Sequence, residues 1–289
     1  MSDVRFVFAA DHKSGLFTRN KDQHFRTKRP RDSAMVWPTH SWMIRKAILG
    51  IIFAGTIPAS LISAGPADED LLIGKSLADL LQAGETVISR EQDRIDDPKL
   101  GDKGLDGAVV LQQAREIYRT TTGVDPATVD PASRHGRLLS VQMDAIVEVM
   151  DAKQAAINAT GSGFKGFIPQ VFARLVNEAF ARRAKGEAEV KVTGPPDRIR
   201  NRKARPDVWE NDVIKSKLLA PNWPRGQAYS AAIEKGGRPA FRVMVPQYYD
   251  ASCLACHGSP KGEVDVTGYP KEGAKFDELG GVISVILYR

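Results

Sequence analysis

The only two cysteines of this 289-residue chain stand three positions apart and directly before a histidine, in Cys253-Leu254-Ala255-Cys256-His257. The arrangement constrains the fold around it, because a single turn of chain has to present two sulfurs and an imidazole to one group. C-x-x-C-H is the attachment signature of c-type haem: two thiols form thioethers with the porphyrin vinyl groups, and the adjacent histidine ligates the iron. The motif therefore predicts one covalent haem c, held through Cys253 and Cys256, with His257 as a metal ligand. Two other chemistries use paired cysteines. A thioredoxin-like dithiol needs a strand-to-helix setting within a βαβ pattern, which the C-terminal region lacks. A zinc site needs a fourth ligand, and no other Cys or His follows His135.

Compartment matters for such a motif, and the leader addresses it. Met43-Ile44-Arg45-Lys46 is a short basic start, residues 47–64 carry no charge, and Ser63-Ala64-Gly65 precede the acidic Asp68-Glu69-Asp70. This is the order of a secretory signal peptide over residues 43–64, ending after Ala64 or Ala67 and delivering a periplasmic protein. The alternative is an uncleaved anchor in the inner membrane. Pro58 and the glycines interrupt that run, and its strongly apolar part, residues 47–57, is short for a spanning helix. Residues 1–42 are polar and fit neither reading. They are expected to lie upstream of a true start at Met43 or Met35, or to form a disordered or cytoplasmic extension.

Charge follows the same division. Of 41 Lys and Arg, 10 lie before residue 47, and of 35 Asp and Glu, 4 do; the remainder balance at 31 each. The basic excess belongs to the leader, so it argues for neither nucleic acid nor an acidic partner. Residues 65–289 are long enough for one well-cored domain.

The first half of that domain reads as helix. Ile73, Leu77, Leu80, Leu81, Val87 and Ile88 recur at helical spacing, as do Leu139, Met143, Ile146 and Met150 after a start at Ser133. Residues 109–118 form a shorter amphipathic run. Ile168, Val171, Phe172, Leu175, Val176 and Ala179 form another, with Pro169 tolerable in its first turn. The second half changes period. Val190 and Val192 alternate, as do Phe241, Val243 and Val245, and residues 282–287 are continuously apolar. Gly236-Gly237 between residues 228–234 and 238–245 predicts a hairpin. Helices followed by hairpin-joined strands predict an α+β domain with an antiparallel sheet.

A set of ordered segments carries a resemblance. Gly163-Phe164-Lys165-Gly166-Phe167-Ile168-Pro169, Lys191-Val192-Thr193-Gly194, Ile199-Arg200-Asn201, Arg205-Pro206-Asp207-Val208-Trp209-Glu210, the cysteine motif with Gly258, and Gly280-Gly281-Val282-Ile283-Ser284-Val285 together resemble the single-haem c-type domains of bacterial periplasmic proteins. The resemblance spans roughly residues 70–289. It implies a PAS-like antiparallel sheet flanked by long N-terminal helices, found alone or as the sensing part of histidine kinases. It implies haem on Cys253 and Cys256 with His257 as the proximal ligand. Some members use an upstream cysteine on the other iron face, and this chain has no third cysteine.

The second axial ligand is therefore open. His135 is the one other histidine beyond the leader and lies on the same helical side as Leu139, Met143 and Ile146. It is the expected sixth ligand, with Met143, Met150 or Met244, or an open position, as alternatives. Arg200, Arg202, Lys203 and Arg205 are candidates to pair with haem propionates, against the alternative of a solvated charged face. Tyr248, with Tyr249 beside it, is a candidate wall of the haem site or a core residue. Gly161 to Gly166 fits G-x-G-x-x-G literally but follows a helical run, which a dinucleotide site does not. Asn158-Ala159-Thr160 matches a glycosylation sequon and carries no weight. No nucleophile–base–acid set, kinase motif or DNA-binding motif is present. The expectation is a non-enzymatic periplasmic protein for electron transfer or redox sensing, with a redox or signalling partner. A haem-based gas sensor or a peroxidase-type enzyme is the alternative.

Overall fold

The computed structural model describes residues 65–289; the expected signal peptide over 43–64 and the segment 1–42 lie outside the described residues. Helix α1 (Pro66–Arg90) begins with proline at its first position and with Asp68 and Glu69 in the first turn, where the helix dipole favours negative charge. Its apolar stripe, Ile73, Leu77, Leu80, Leu81 and Ile88, is fully buried. Each such side chain contributes about 1.5–3 kcal/mol relative to exposure. A short α2 (Gln92–Ile95) follows, then α3 (Gly107–Thr122) and α4 (Arg134–Ile157). Ser133 caps α4, its Oγ accepting from the Gly136 amide at 3.0 Å. In α5 (Pro169–Arg183) the proline again occupies the first turn, and Phe172, Val176, Ala179 and Phe180 are fully buried. The glycine-rich stretch 161–166 is the loop between α4 and α5, as expected of a G-x-G-x-x-G match with no strand before it.

Four strands then form one antiparallel sheet: β1 (Ala188–Thr193), β2 (Tyr229–Lys235), β3 (Arg238–Tyr248) and β4 (Leu279–Tyr288), in spatial order β1-β4-β3-β2. Gly236 and Gly237 make the two-residue β2–β3 turn with φ of 60° and 75°, the left-handed geometry that suits strand twist. The α+β architecture, with helices N-terminal to the sheet, matches the expectation from periodicity. One sheet face presents Val190, Phe241, Val243, Val245, Ile283, Val285 and Leu287 to the helical layer. The opposite face presents Met244, Val282 and Leu279 to Val213, Ile214 and Leu218. Those last three come from α6 (Val208–Val213) and the π-helical turn Ile214–Leu218 that continues it.

A buried polar anchor fixes α6 to the second face. Arg242 on β3, only 2% exposed, donates to Asp207 at 2.9 Å, to Glu210 at 2.7 Å and to Ser284 at 3.3 Å. Lys191 on β1 reaches the other Glu210 oxygen at 2.9 Å. Asp207 and Glu210 also form the capping box of α6. The segment 205–210, one of those that carried the resemblance, thus has a structural task.

The two ends of the sheet differ. At one, Tyr248 pairs with Leu279, and the connection between them contains the cysteine motif on α7 (Leu254–His257). At the other, Arg134 at the start of α4 donates to Asp70 at 2.9 Å and to the Tyr288 carbonyl at 2.8 Å. Among the described residues no helix is long and apolar enough to cross a membrane.

Candidate functional site

The helical turn the motif requires is present: the amides of Cys256 and His257 both donate to the Cys253 carbonyl, at 3.2 and 3.0 Å. Asp250 prepares that turn. Its Oδ1 accepts from the Ser252 amide at 2.8 Å, the Ser252 hydroxyl at 2.6 Å, the Cys253 amide at 3.1 Å and the Cys253 thiol at 3.3 Å. Ser252 also meets Ser89 at 2.9 Å, so the C-terminal end of α1 touches the approach to the motif. Both cysteines are free thiols and half-buried. Burial pushes each thiol up; the Asp250 carboxylate adds to the effect at Cys253, where a backbone hydrogen bond of Asp250 opposes it, and the Asp265 carboxylate adds to it at Cys256.

His257 is held from two sides. Its Nδ1 lies 2.8 Å from Glu272 Oε2, and the Tyr249 ring lies 5.1 Å away, tilted by 31°. Tyr249 in turn lies on the β4 backbone at Gly280, where a Cβ would stand 2.7 Å from the ring. A glycine is needed there because any side chain would displace the ring that supports the imidazole. Burial, with the nearby Glu272 charge, pushes the Tyr249 phenol up to about 12, so it stays neutral.

Arg200 binds the site together. Its Nε donates to Glu272 Oε1 at 2.6 Å, its Nη2 to Glu272 Oε2 at 3.1 Å and to the Cys256 carbonyl at 2.9 Å. Its Nη1 donates to Asp265 at 2.6 Å and to Thr267 at 3.2 Å. All five guanidinium donors are thereby engaged. Burial opposes ionisation of Asp265 and Glu272, but hydrogen bonds outweigh it: from Thr267 and Arg200 at Asp265, and from Arg200 and His257 at Glu272. Both carboxyls are held below the usual range. The Ala274 amide donates to the His257 carbonyl at 2.8 Å, which fastens the segment carrying Glu272 against the motif.

The structure sorts the residues singled out from sequence. Cys253, Cys256 and His257 share one turn, and Arg200 lies against it. Arg200 spends its donors on protein oxygens, so it braces the motif instead of standing free for a propionate. Arg202 and Arg205 are exposed and make no ion pair among the described residues. Tyr248 is not the ring beside the histidine. It turns to the second face of the sheet, under Arg225 at 3.7 Å, and its hydroxyl accepts from the Gly226 amide at 3.2 Å. Its neighbour Tyr249 is the ring that lies beside His257.

His135 is not brought to the motif. Its neighbour Arg134 binds the Tyr288 carbonyl, whereas Tyr249 and His257 lie at Gly280, eight residues earlier on the same strand. At about 3.3 Å per residue the two places are about 26 Å apart. Burial holds the His135 imidazole below its ordinary range, and Glu69 of α1 opposes that shift. The helical stripe was correctly read as core-facing, but it faces the core at the wrong end of the sheet. The methionines are also packed elsewhere: Met143 and Met150 in the helical core, Met244 in the cluster on the second face.

Glu272, Asp265 and Asp250 were missed. Asp250 is close enough to the motif to have been read as a capping residue. Glu272 and Asp265 meet it only through the fold of the connecting loop, for which no local pattern exists.

The residues fit a covalently attached haem. Two unpaired thiols and one imidazole sit on a single turn, and a carboxylate at Nδ1 leaves Nε2 as the free ring nitrogen. Among the described residues no group of three or more His, Cys, Asp or Glu side chains is arranged to hold a metal ion by itself. The thiols and imidazole therefore do not converge as the ligands of a closed zinc site do.

No curated protein and no solved structure matches the chain. The Tll0287-like family does match, over residues 126–287, more than half of the chain and including the sheet, Arg200, the cysteine motif and Glu272. By that match, the chain belongs to the Tll0287-like family.

Proposed function

We propose that the chain is a monohaem c-type protein of the periplasm that carries or senses electrons. The observation that supports this most is the motif turn: two free thiols and His257 on one helical turn, with Nδ1 of the histidine committed to Glu272. Bound there, haem would supply a one-electron iron couple, and the protein's part is attachment, orientation and tuning of the ligand. Cys253 and Cys256 would hold the vinyl groups, and His257 would ligate through Nε2. Asp250 keeps the turn in shape. Arg200 and Tyr249 hold the histidine's surroundings. His135 is not offered as the sixth ligand, given its position.

The test is a visible spectrum of protein exported in a host that assembles c-type haem, recorded oxidised, reduced and reduced with carbon monoxide, before and after acid-acetone extraction. The reading expects a haem that resists extraction. A low-spin spectrum indifferent to carbon monoxide supports a carrier, and prompt carbon monoxide uptake supports a sensor. Haem lost to the extract, or no haem at all, overturns the reading.

A further inference from the structure

We propose that Glu272 sets the electron-donating strength of His257, and that Arg200 limits it by sharing the same carboxylate. This rests on the haem reading above and assigns the residues that tune the iron. A histidine that donates Nδ1–H to a neutral carbonyl is a weaker ligand than one that donates to a carboxylate. The anionic acceptor draws the proton away and leaves more density at Nε2. Here the acceptor is Glu272 Oε2 at 2.8 Å. The same oxygen also accepts from Arg200 Nη2 at 3.1 Å, and the second oxygen from Arg200 Nε at 2.6 Å. The arginine thus competes with the imidazole for the carboxylate's charge.

The geometry is over-determined, as a tuning contact has to be. Arg200 ties Glu272 to the Cys256 carbonyl inside the motif, at 2.9 Å, and to Asp265, whose side chain is 1% exposed, at 2.6 Å. Glu272 and Arg200 are themselves only 14% and 18% exposed, so solvent screens the contact weakly. A stronger histidine donor favours ferric iron and lowers the reduction potential; weakening it raises the potential.

Spectroelectrochemical titration of the haem-loaded protein, wild type and variants, tests this. Glu272→Gln keeps an acceptor of the same shape without the charge and should raise the potential by at least about 59 mV, a tenfold shift in the ferric–ferrous equilibrium. Arg200→Gln frees the carboxylate and should shift it the opposite way. Asp265→Asn removes an equal charge from the same cluster with no bond to His257, and should move the potential much less than Glu272→Gln. Glu272→Asp, which keeps the charge but shortens its reach, should give a smaller rise, and stands in if the glutamine variant fails to mature. Equal shifts for Asp265→Asn and Glu272→Gln mean a through-space effect only and overturn the proposal. So do shifts of the same sign in the Arg200 and Glu272 variants, as would follow from a loosened site. A wild-type protein that carries no covalent haem defeats the haem reading itself and is distinguished at the first spectrum.

Discussion

Glu85 lies on α1, buried against the sheet, and its Oε2 accepts from Gln247 Nε2 at 2.7 Å, while its Oε1 has no hydrogen-bond partner among the described residues. Burial raises its pKa from 4.5 to about 7, against the opposing hydrogen bond from Gln247. In the unfolded chain the carboxyl ionises near its ordinary value. The contribution of Glu85 to stability is therefore greatest below about pH 4.5, falls as pH rises through the window in which only the unfolded chain's carboxyl is ionised, and levels off above about pH 7. The difference of about 2.5 units, at 1.36 kcal/mol each, is about 3 kcal/mol lost across that window. Glu85→Gln preserves the acceptor for Gln247 and removes the ionisation. Urea unfolding of wild type and variant, followed by circular dichroism at about pH 4 and about pH 8, measures the difference between them at each pH, so that groups titrating in both proteins cancel. The variant should gain about 3 kcal/mol relative to wild type between the two conditions. Stability curves that stay parallel across that range would refute the reasoning, because they would mean that Glu85 ionises alike in the folded and unfolded chain.

Three further outcomes follow from the geometry. Arg242→Met leaves Glu210 buried with Lys191 as its one remaining ion-pair partner and Oε1 without its donor, and should cost about 3–5 kcal/mol in urea unfolding, with Glu210→Gln in the same chain restoring part of it. Gly280→Ala places a Cβ 2.7 Å from the Tyr249 ring, and should destabilise by about 1–3 kcal/mol and alter the visible spectrum of the loaded protein, whereas unchanged stability and spectrum would show that the ring does not rest on β4. His135→Ala, at the far end of the sheet, should leave the oxidised and reduced spectra unchanged; a switch to high-spin iron would return the histidine to the site.

The helices and strands were legible because their apolar periods are long. The stripe on α4 and the alternation on β3 each ran far enough to fix element type, and Ser133 and Pro169 marked two helix starts by their backbone chemistry. The short α6 and its π-helical continuation had no period to read, since a polar anchor to Arg242 holds them in place along with their apolar contacts. Periodicity also identifies a helix face without saying which end of the sheet that face covers, and His135 was misplaced for that reason. Tyr248 and Tyr249 illustrate the same limit at one residue's scale. Adjacent strand residues face opposite sides, and the register shift between Gln247 and Tyr248 decides which tyrosine meets His257. The cysteine motif was legible because its chemistry is local. Glu272 was not, because it reaches His257 only after a fifteen-residue loop has folded back.

Covalent attachment is the claim on which the rest depends, and the intact mass of the denatured, exported protein tests it most directly. The wild-type chain should weigh one haem more than its processed polypeptide, and the chain with both Cys253→Ser and Cys256→Ser should weigh the polypeptide alone. A wild-type mass equal to that of the bare polypeptide, from a host shown to attach haem to another C-x-x-C-H protein, would contradict the account.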